Sequence, residues 1–170
     1  MTTPDTLEPD GAAVRQHLRL ALRADSYAVT IDEVREILEV GRITPLPCTP
    51  DFVRGVLNLR GAVVPIIDLA ARFGHGASAI ARRSCIVVVD VKGGDGERRH
   101  TIGLLVDAVF EVFDVLAGTL EAVPSLGTAI PAEFLTGIAR AQGHVVPVLD
   151  LFAALAPNAL ADLIAHTTPA

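Results

Sequence analysis

Residues 51–73 read DFVRGVLNLRGAVVPIIDLAARF, and residues 133–155 read EFLTGIARAQGHVVPVLDLFAAL. At a constant offset of 82, nine of the 23 positions are identical, and most of the others exchange one apolar residue for another. Phe52 matches Phe134, Gly55 matches Gly137, and Gly61 matches Gly143. Val63-Val64-Pro65 matches Val145-Val146-Pro147, and Asp68-Leu69 matches Asp150-Leu151. Upstream, YAVTIDEVREIL at 27–38 parallels IGLLVDAVFEVF at 102–113, aligning Asp32 with Asp107, Val34 with Val109 and Glu36 with Glu111. Two matches in the same order mark an internal duplication, with copies at about 17–73 and 84–155.

Each copy opens with a strand, 17–23 or 85–91, the latter β-branched through Ile86-Val87-Val88-Val89, followed by a second strand at 27–31 or 101–106. The hairpin connection of the second copy runs through Gly93-Gly94-Asp95-Gly96, a turn signal. Next comes an apolar-periodic piece, Val34-Ile37-Leu38 or Val109-Val112-Phe113. Its spacing fits a helical turn, and the second version reads equally well as strand. After a Pro-punctuated link, two strands flank Gly61 or Gly143, where a residue without Cβ turns at little cost. Asp68 and Asp150 then stand where a carboxylate caps a short helix. Five short strands per copy describe a small SH3-like barrel. The fold expected is therefore mainly β, two five-stranded barrels with a few short helices. A barrel of ~60 residues has a marginal core alone, so the two should pack on a shared one as a single cooperative domain over 15–156. Residues 1–14 read as a disordered tail. Pro157-Asn158 starts a last helix, with Leu160, Leu163 and Ile164 as its apolar stripe and the chain end following to 170.

Composition narrows the function. The 170 residues are 51% hydrophobic and 4% aromatic, with no Trp and a formal net charge of −6. Few aromatics and an acidic balance leave little for nucleic acid, which a basic stripe would attract. The densest basic cluster, Arg98-Arg99-His100, lies beside Asp95 and Glu97 and reads as a solvated loop tip. Cys48 and Cys85 stand far apart without CxxC spacing, which suits a reduced cytosolic setting. No apolar run approaches the ~18 residues needed to span a membrane. Asp5, Glu8 and Asp10 occupy the place where a signal peptide needs a basic start, so a cytoplasmic location is expected without direct membrane insertion.

The usual catalytic constellations are missing. His17, His75, His100, His144 and His166 never fall at i,i+3 or i,i+4 spacing with one another, and no HExxH or Cys/His cluster supplies a zinc site. Neither a GxSxG elbow nor a phosphate-cradling glycine loop is present. No catalytic residue, metal ligand or cofactor is therefore assigned, and the chain reads as a non-enzyme. The duplication filters what remains. Positions shared by both copies serve the barrel; positions that differ are free to specialise. Asn58 and Arg60 differ, because their counterparts are Arg140 and Gln142. Beside a turn glycine, the Arg60 guanidinium is placed to meet carboxylates or carbonyls.

The stretch PDFVRGVLNLRGAVVPIIDLAARFG closely resembles the signature of the CheW family of bacterial chemosensory adaptors, through its PxFxxG entry, NLRG turn and VVPIIDL strand. YAVTIDEVREIL resembles the family's first strand-helix segment, GLLVDAVFEV its VDxV motif, and EFLTGIARAQGHVVPVLDL its closing part. Together they cover 17 to about 155. The resemblance implies two SH3-like barrels, no catalytic activity, and a role linking the cytoplasmic tips of methyl-accepting chemoreceptors to the CheA histidine kinase through its CheW-like regulatory domain, in membrane-associated arrays. Asn58, Arg60, Val109 and Val112 occupy positions that meet the receptor in the family; Val34, Glu36 and Gly55 occupy positions associated with the kinase. The first strand, HLRLALRAD, lacks the aromatics common in relatives, and the GGDGERRH hairpin is long. An adaptor of a pili or surface-motility pathway is the alternative within the same fold. A small-molecule-binding or hydrolytic protein using an inter-barrel groove is the alternative of another class.

Overall fold

A computed structural model describes residues 6–7, 13–92, 99–124, 130–141, 143–157 and 159–160. Thr6–Leu7 (β1) folds back on Val14 and Ala13, inside the stretch expected as a tail. The first copy then supplies Ala13–Leu22 (β2), Asp25–Thr30 (β3), Val34–Glu39 (β4), Val53–Leu59 (β5) and Ala62–Asp68 (β6). Its helix is Leu69–Arg72 (α1). The second copy supplies Cys85–Lys92 (β7), Arg99–Val106 (β8), Ala108–Leu116 (β9), Leu135–Ala141 (β10) and His144–Leu149 (β11). Leu151–Leu155 (α2) closes it. The Gly93–Gly96 turn, Leu163 and Ile164 lie outside the described residues; Leu160 is buried in the core.

The sheets do not follow the copies. One runs β1-β2-β3-β11-β10 with β9 on the other side of β2, and the other runs β4-β7-β8-β6-β5. The first barrel thus takes two strands from copy one and three from copy two; the second barrel reverses the share. The links explain why. Only Asp107 separates β8 from β9, too little for even a two-residue hairpin loop, so the chain passes on into the other sheet. Between β3 and β4 a 3₁₀ turn, Ile31–Glu33, redirects the chain in the same way. Parallel ladders, β3 with β11 and β6 with β8, then join strands of different copies.

The piece at 34–38, whose spacing fits a helical turn, is strand, and so is 109–113, for which strand is the equal reading. Each strand carries one extra residue. Val34 and Glu36 face the adjacent Val89 and Val88, and Val109 and Val112 face Leu20 and Leu18. A bulge turns a period of two into an apparent period of three, which imitates a helix in the sequence. Immediately before β4, the Ile31–Glu33 turn is the only helical piece there.

Asp68 and Asp150 cap their helices as expected, accepting the Ala71 and Ala153 N–H groups. Their own N–H groups donate to the Phe52 and Phe134 carbonyls at 2.7 and 2.8 Å. This explains why the phenylalanine and the Asp-Leu pair recur together. The Arg72 guanidinium lies over both rings, 5.3 Å from Phe52 and 4.8 Å from Phe134, where the two copies meet. Among the described residues, isolated bridges close the barrels, Thr44 with Val56 in the second and Glu121 with Ile138 in the first. Small cores fill the barrels: Ala28, Phe113, Ala139, Val146 and Val148 in the first, Ile66, Ile86, Val88 and Leu105 in the second. The largest core lies between them and joins Leu18, Leu20 and Val29 to Val87, Val89, Ile102 and Leu104. Apolar burial therefore stabilises the pair more than either barrel.

Candidate interaction surface

Strands β5 and β6 are joined by Arg60 and Gly61 alone, with Leu59 facing Ala62. Both loop residues have positive φ, +52° and +86°, as a type I′ turn requires. Glycine adopts this cheaply; an arginine does not. Asn58 steadies the turn by accepting the Gly61 N–H at 3.0 Å. Arg60 thereby projects from the hairpin tip with its side chain 70% exposed. Its guanidinium donates to both oxygens of Glu36 on β4, at 2.7 and 3.0 Å. The hydrogen bond from Arg60 holds the Glu36 carboxyl below its ordinary pKa, and the arginine is raised in turn. On the same two strand pairs, Val63, opposite Asn58, is 61% exposed, and Ile37, next to Glu36 in β4, is 44% exposed.

The seven residues singled out from the sequence do not form one cluster. Arg60, Asn58 and Glu36 come together on the second barrel, so a residue expected to meet the receptor is hydrogen-bonded to one expected to meet the kinase. Val34, also on β4, packs partly buried against the shared core. Gly55 is buried with φ +141°, and a Cβ there would lie 2.1 Å from the Thr44 carbonyl oxygen. Its place is in the closing seam of the barrel. Val109 and Val112 lie on β9 of the first barrel, where Val109 leans on the shared core and Val112 is 45% exposed. Next to them Arg19 clasps Glu111 at 2.8 and 3.0 Å and lies 4.2 Å from the Phe110 ring centroid.

Sequence reasoning missed a buried network. The Asp68 carboxylate also accepts the Ser78 N–H at 2.7 Å, the Ser78 hydroxyl at 2.8 Å and Arg54 Nη1 at 3.2 Å. Arg23 holds the same connection by donating to the His75, Gly76 and Ala77 carbonyls. The available signal was Arg54 itself, whose counterpart in the other copy is Thr136. Among the described residues no group of three His, Cys, Asp or Glu is placed to hold a metal ion. No helix among them is long and apolar enough to cross a membrane.

A family model described as a CheW-like domain matches residues 16–157. The chain belongs to the CheW family. The chemotaxis protein CheW of Rhizobium meliloti is 33% identical over 137 residues, 81% of this chain and 84% of that protein. The chemotaxis protein CheW of Klebsiella aerogenes is 29% identical over 155 residues, 90% of each chain. Protein FrzA of Myxococcus xanthus is 34% identical over 121 residues, 68% of each. The crystal structure of the scaffolding protein TtCheW from Thermoanaerobacter tengcongensis superposes with a TM-score of 0.72 at 30% identity, covering 87% of this chain and 92% of that one. The CheW family is one of non-catalytic scaffolds, and the double barrel expected from the repeat is its fold.

Proposed function

We propose that this chain is a non-catalytic adaptor that couples the cytoplasmic tips of chemoreceptors to a CheA-type histidine kinase in membrane-associated arrays. The observation that carries this reading is the Arg60–Glu36 pair. Arg60 stands 70% exposed at the tip of the β5–β6 hairpin and holds Glu36 of β4, on a chain of the CheW family. Arginine is among the residue types that most often anchor interfaces. Its bidentate hold on a carboxylate is specific in direction and exchangeable with a partner's carboxylate. On the first barrel, Val112 offers a second exposed apolar position. The adaptor's mechanism is then geometric: it sets where receptor and kinase sit, and the kinase performs the phosphoryl chemistry.

Arg60→Glu tests the reading. In a reconstituted receptor–kinase assay the variant should lose receptor-dependent kinase activation, while its melting curve stays close to that of the wild type. Wild-type activation by the variant would refute the site. A related adaptor role in another pathway is separated by affinity capture from the native cell, which identifies the kinase and receptors that accompany the chain.

A further inference from the structure

A groove of about 390 Å³ opens at the end of the first barrel, away from the Arg60 hairpin. Its lining includes Glu33, Asp150 and Thr136, with Leu116, Leu120 and Phe152 as apolar neighbours. We propose that this groove binds an extended peptide segment of a partner protein, one that presents an arginine or lysine to Glu33 and Asp150 and an adjacent apolar side chain to Leu116 and Phe152.

The duplication supplies the comparison. Asp68 and Asp150 stand at equivalent places, yet their surroundings differ. In the second barrel the Asp68 carboxylate is wholly buried under the chain's own connection, which brings it the Ser78 N–H and hydroxyl, while Arg54 brings it a guanidinium. In the first barrel, Thr136 replaces Arg54, and Leu160, at the position equivalent to Ser78, is turned into the shared core. Among the described residues the Asp150 carboxylate accepts only the Ala153 N–H, at 3.1 Å, and Asp150 stays half-buried in the groove lining. The internal ligand of one barrel is thus a stretch of chain without regular secondary structure that brings polar donors, helped by a cation. The other barrel keeps the carboxylate and opens it to the surface.

Glu33 adds a second carboxylate to the same wall. It accepts no hydrogen bond from a described residue, and burial, with Asp150 nearby, pushes its pKa up to about 7. Two under-compensated carboxylates favour a cationic visitor. The groove's own basic groups leave that demand standing. Arg15 is held 3.9 Å from Asp32, and burial lowers His17, which keeps it neutral near pH 7. Arg99 offsets Glu33 only in part. The apolar side of the groove is accessible as well: Phe152 is 48% exposed and Leu116 is 39% exposed. This site is on the other barrel from the Arg60–Glu36 pair and does not depend on the coupling role.

The test titrates a capped hexapeptide, Ala-Ile-Ala-Arg-Ser-Ala, into the full ¹⁵N-labelled chain, with versions carrying Glu or norleucine in place of Arg as controls. Saturable shifts are expected at the Thr136, Gly118 and Ala153 amides, with binding weakened about tenfold or more in both controls. The double variant Glu33→Gln, Asp150→Asn should weaken binding similarly, because asparagine keeps the cap on α2 while the charge is removed. Phe152→Ala, at an exposed position, should also weaken it. The proposal is overturned by the absence of saturable shifts at millimolar arginine peptide, or by equal binding of the Glu or norleucine versions. Shifts at the same amides that grow with protein concentration alone would overturn it too, since the occupant would then be a second copy.

Discussion

Gly55 and Gly137 recur at equivalent positions because each lies where its barrel closes, but the two seams are not equally tight. At Gly55 an added Cβ would meet the Thr44 carbonyl oxygen at 2.1 Å, with φ at +141°; at Gly137 the nearest atom, the Glu121 carbonyl oxygen, is 3.1 Å away. Gly55→Ala should therefore destabilise by on the order of 3–5 kcal/mol, and Gly137→Ala by about 1–2 kcal/mol, read from urea denaturation midpoints. Equal losses would contradict the seam geometry. Glu33 offers a pH-dependent case. Its folded pKa of about 7 lies above the ordinary carboxylate value, so the folded state binds its proton more tightly than the unfolded chain does. That contribution to stability is present at low pH and is lost as pH rises from about 4.5 through 7. Glu33→Gln should accordingly raise Tm by about 2–4 °C at pH 8 and leave it unchanged near pH 4. A variant less stable than wild type at pH 8 would show that the ionised carboxylate is favourably held.

At the scale of elements, the two short helices differ in what their caps hold. Asp150 caps α2 and does little else; Asp68 caps α1 and also ties down the connection to β7 through Ser78 and Arg54. Removing a cap costs about 1 kcal/mol. Breaking a buried ion pair costs about 3–5 kcal/mol, because the remaining charge loses its partner. Asp68→Ala should thus destabilise several-fold more than Asp150→Ala in the same denaturant series, and similar losses would mean that the Ser78–Arg54 network contributes little. Both caps were legible in the sequence from their position after the VVP strand. The network was not, because Ser78 reaches Asp68 through a loop whose path no local periodicity records. Strands β4 and β9 show the reverse difficulty: a bulge gave β4 the spacing of a helical turn and left β9 readable either way.

For the whole molecule, the exchange of strands between copies decides cooperativity. Residues 13–84 contain β2 and β3 without β9 and β11, and β4 to β6 without β7 and β8. Neither sheet can be completed from one copy. A fragment of residues 13–84 should therefore give a poorly dispersed NMR spectrum, and the intact chain should unfold in one transition with coincident signals from both barrels. A fragment that folds alone would show that pairing within a copy suffices. The interaction surface follows the same logic. Arg60 was visible as a turn residue that differs between copies, yet its carboxylate partner, 24 residues earlier on a strand of the same barrel, emerged only once β4 was placed in the second sheet.

The order of residues along the chain was enough for the duplication, the strand hairpins, the helix caps and the family signature, because the last three depend on residues a few positions apart and the first on comparing one stretch with another. Which strands share a sheet, why Gly55 lies in a seam, and why one of two equivalent aspartates is covered while the other faces a groove depend on distant segments meeting. Those were decided by a core that no single copy can bury alone and by links too short to let each copy close on itself.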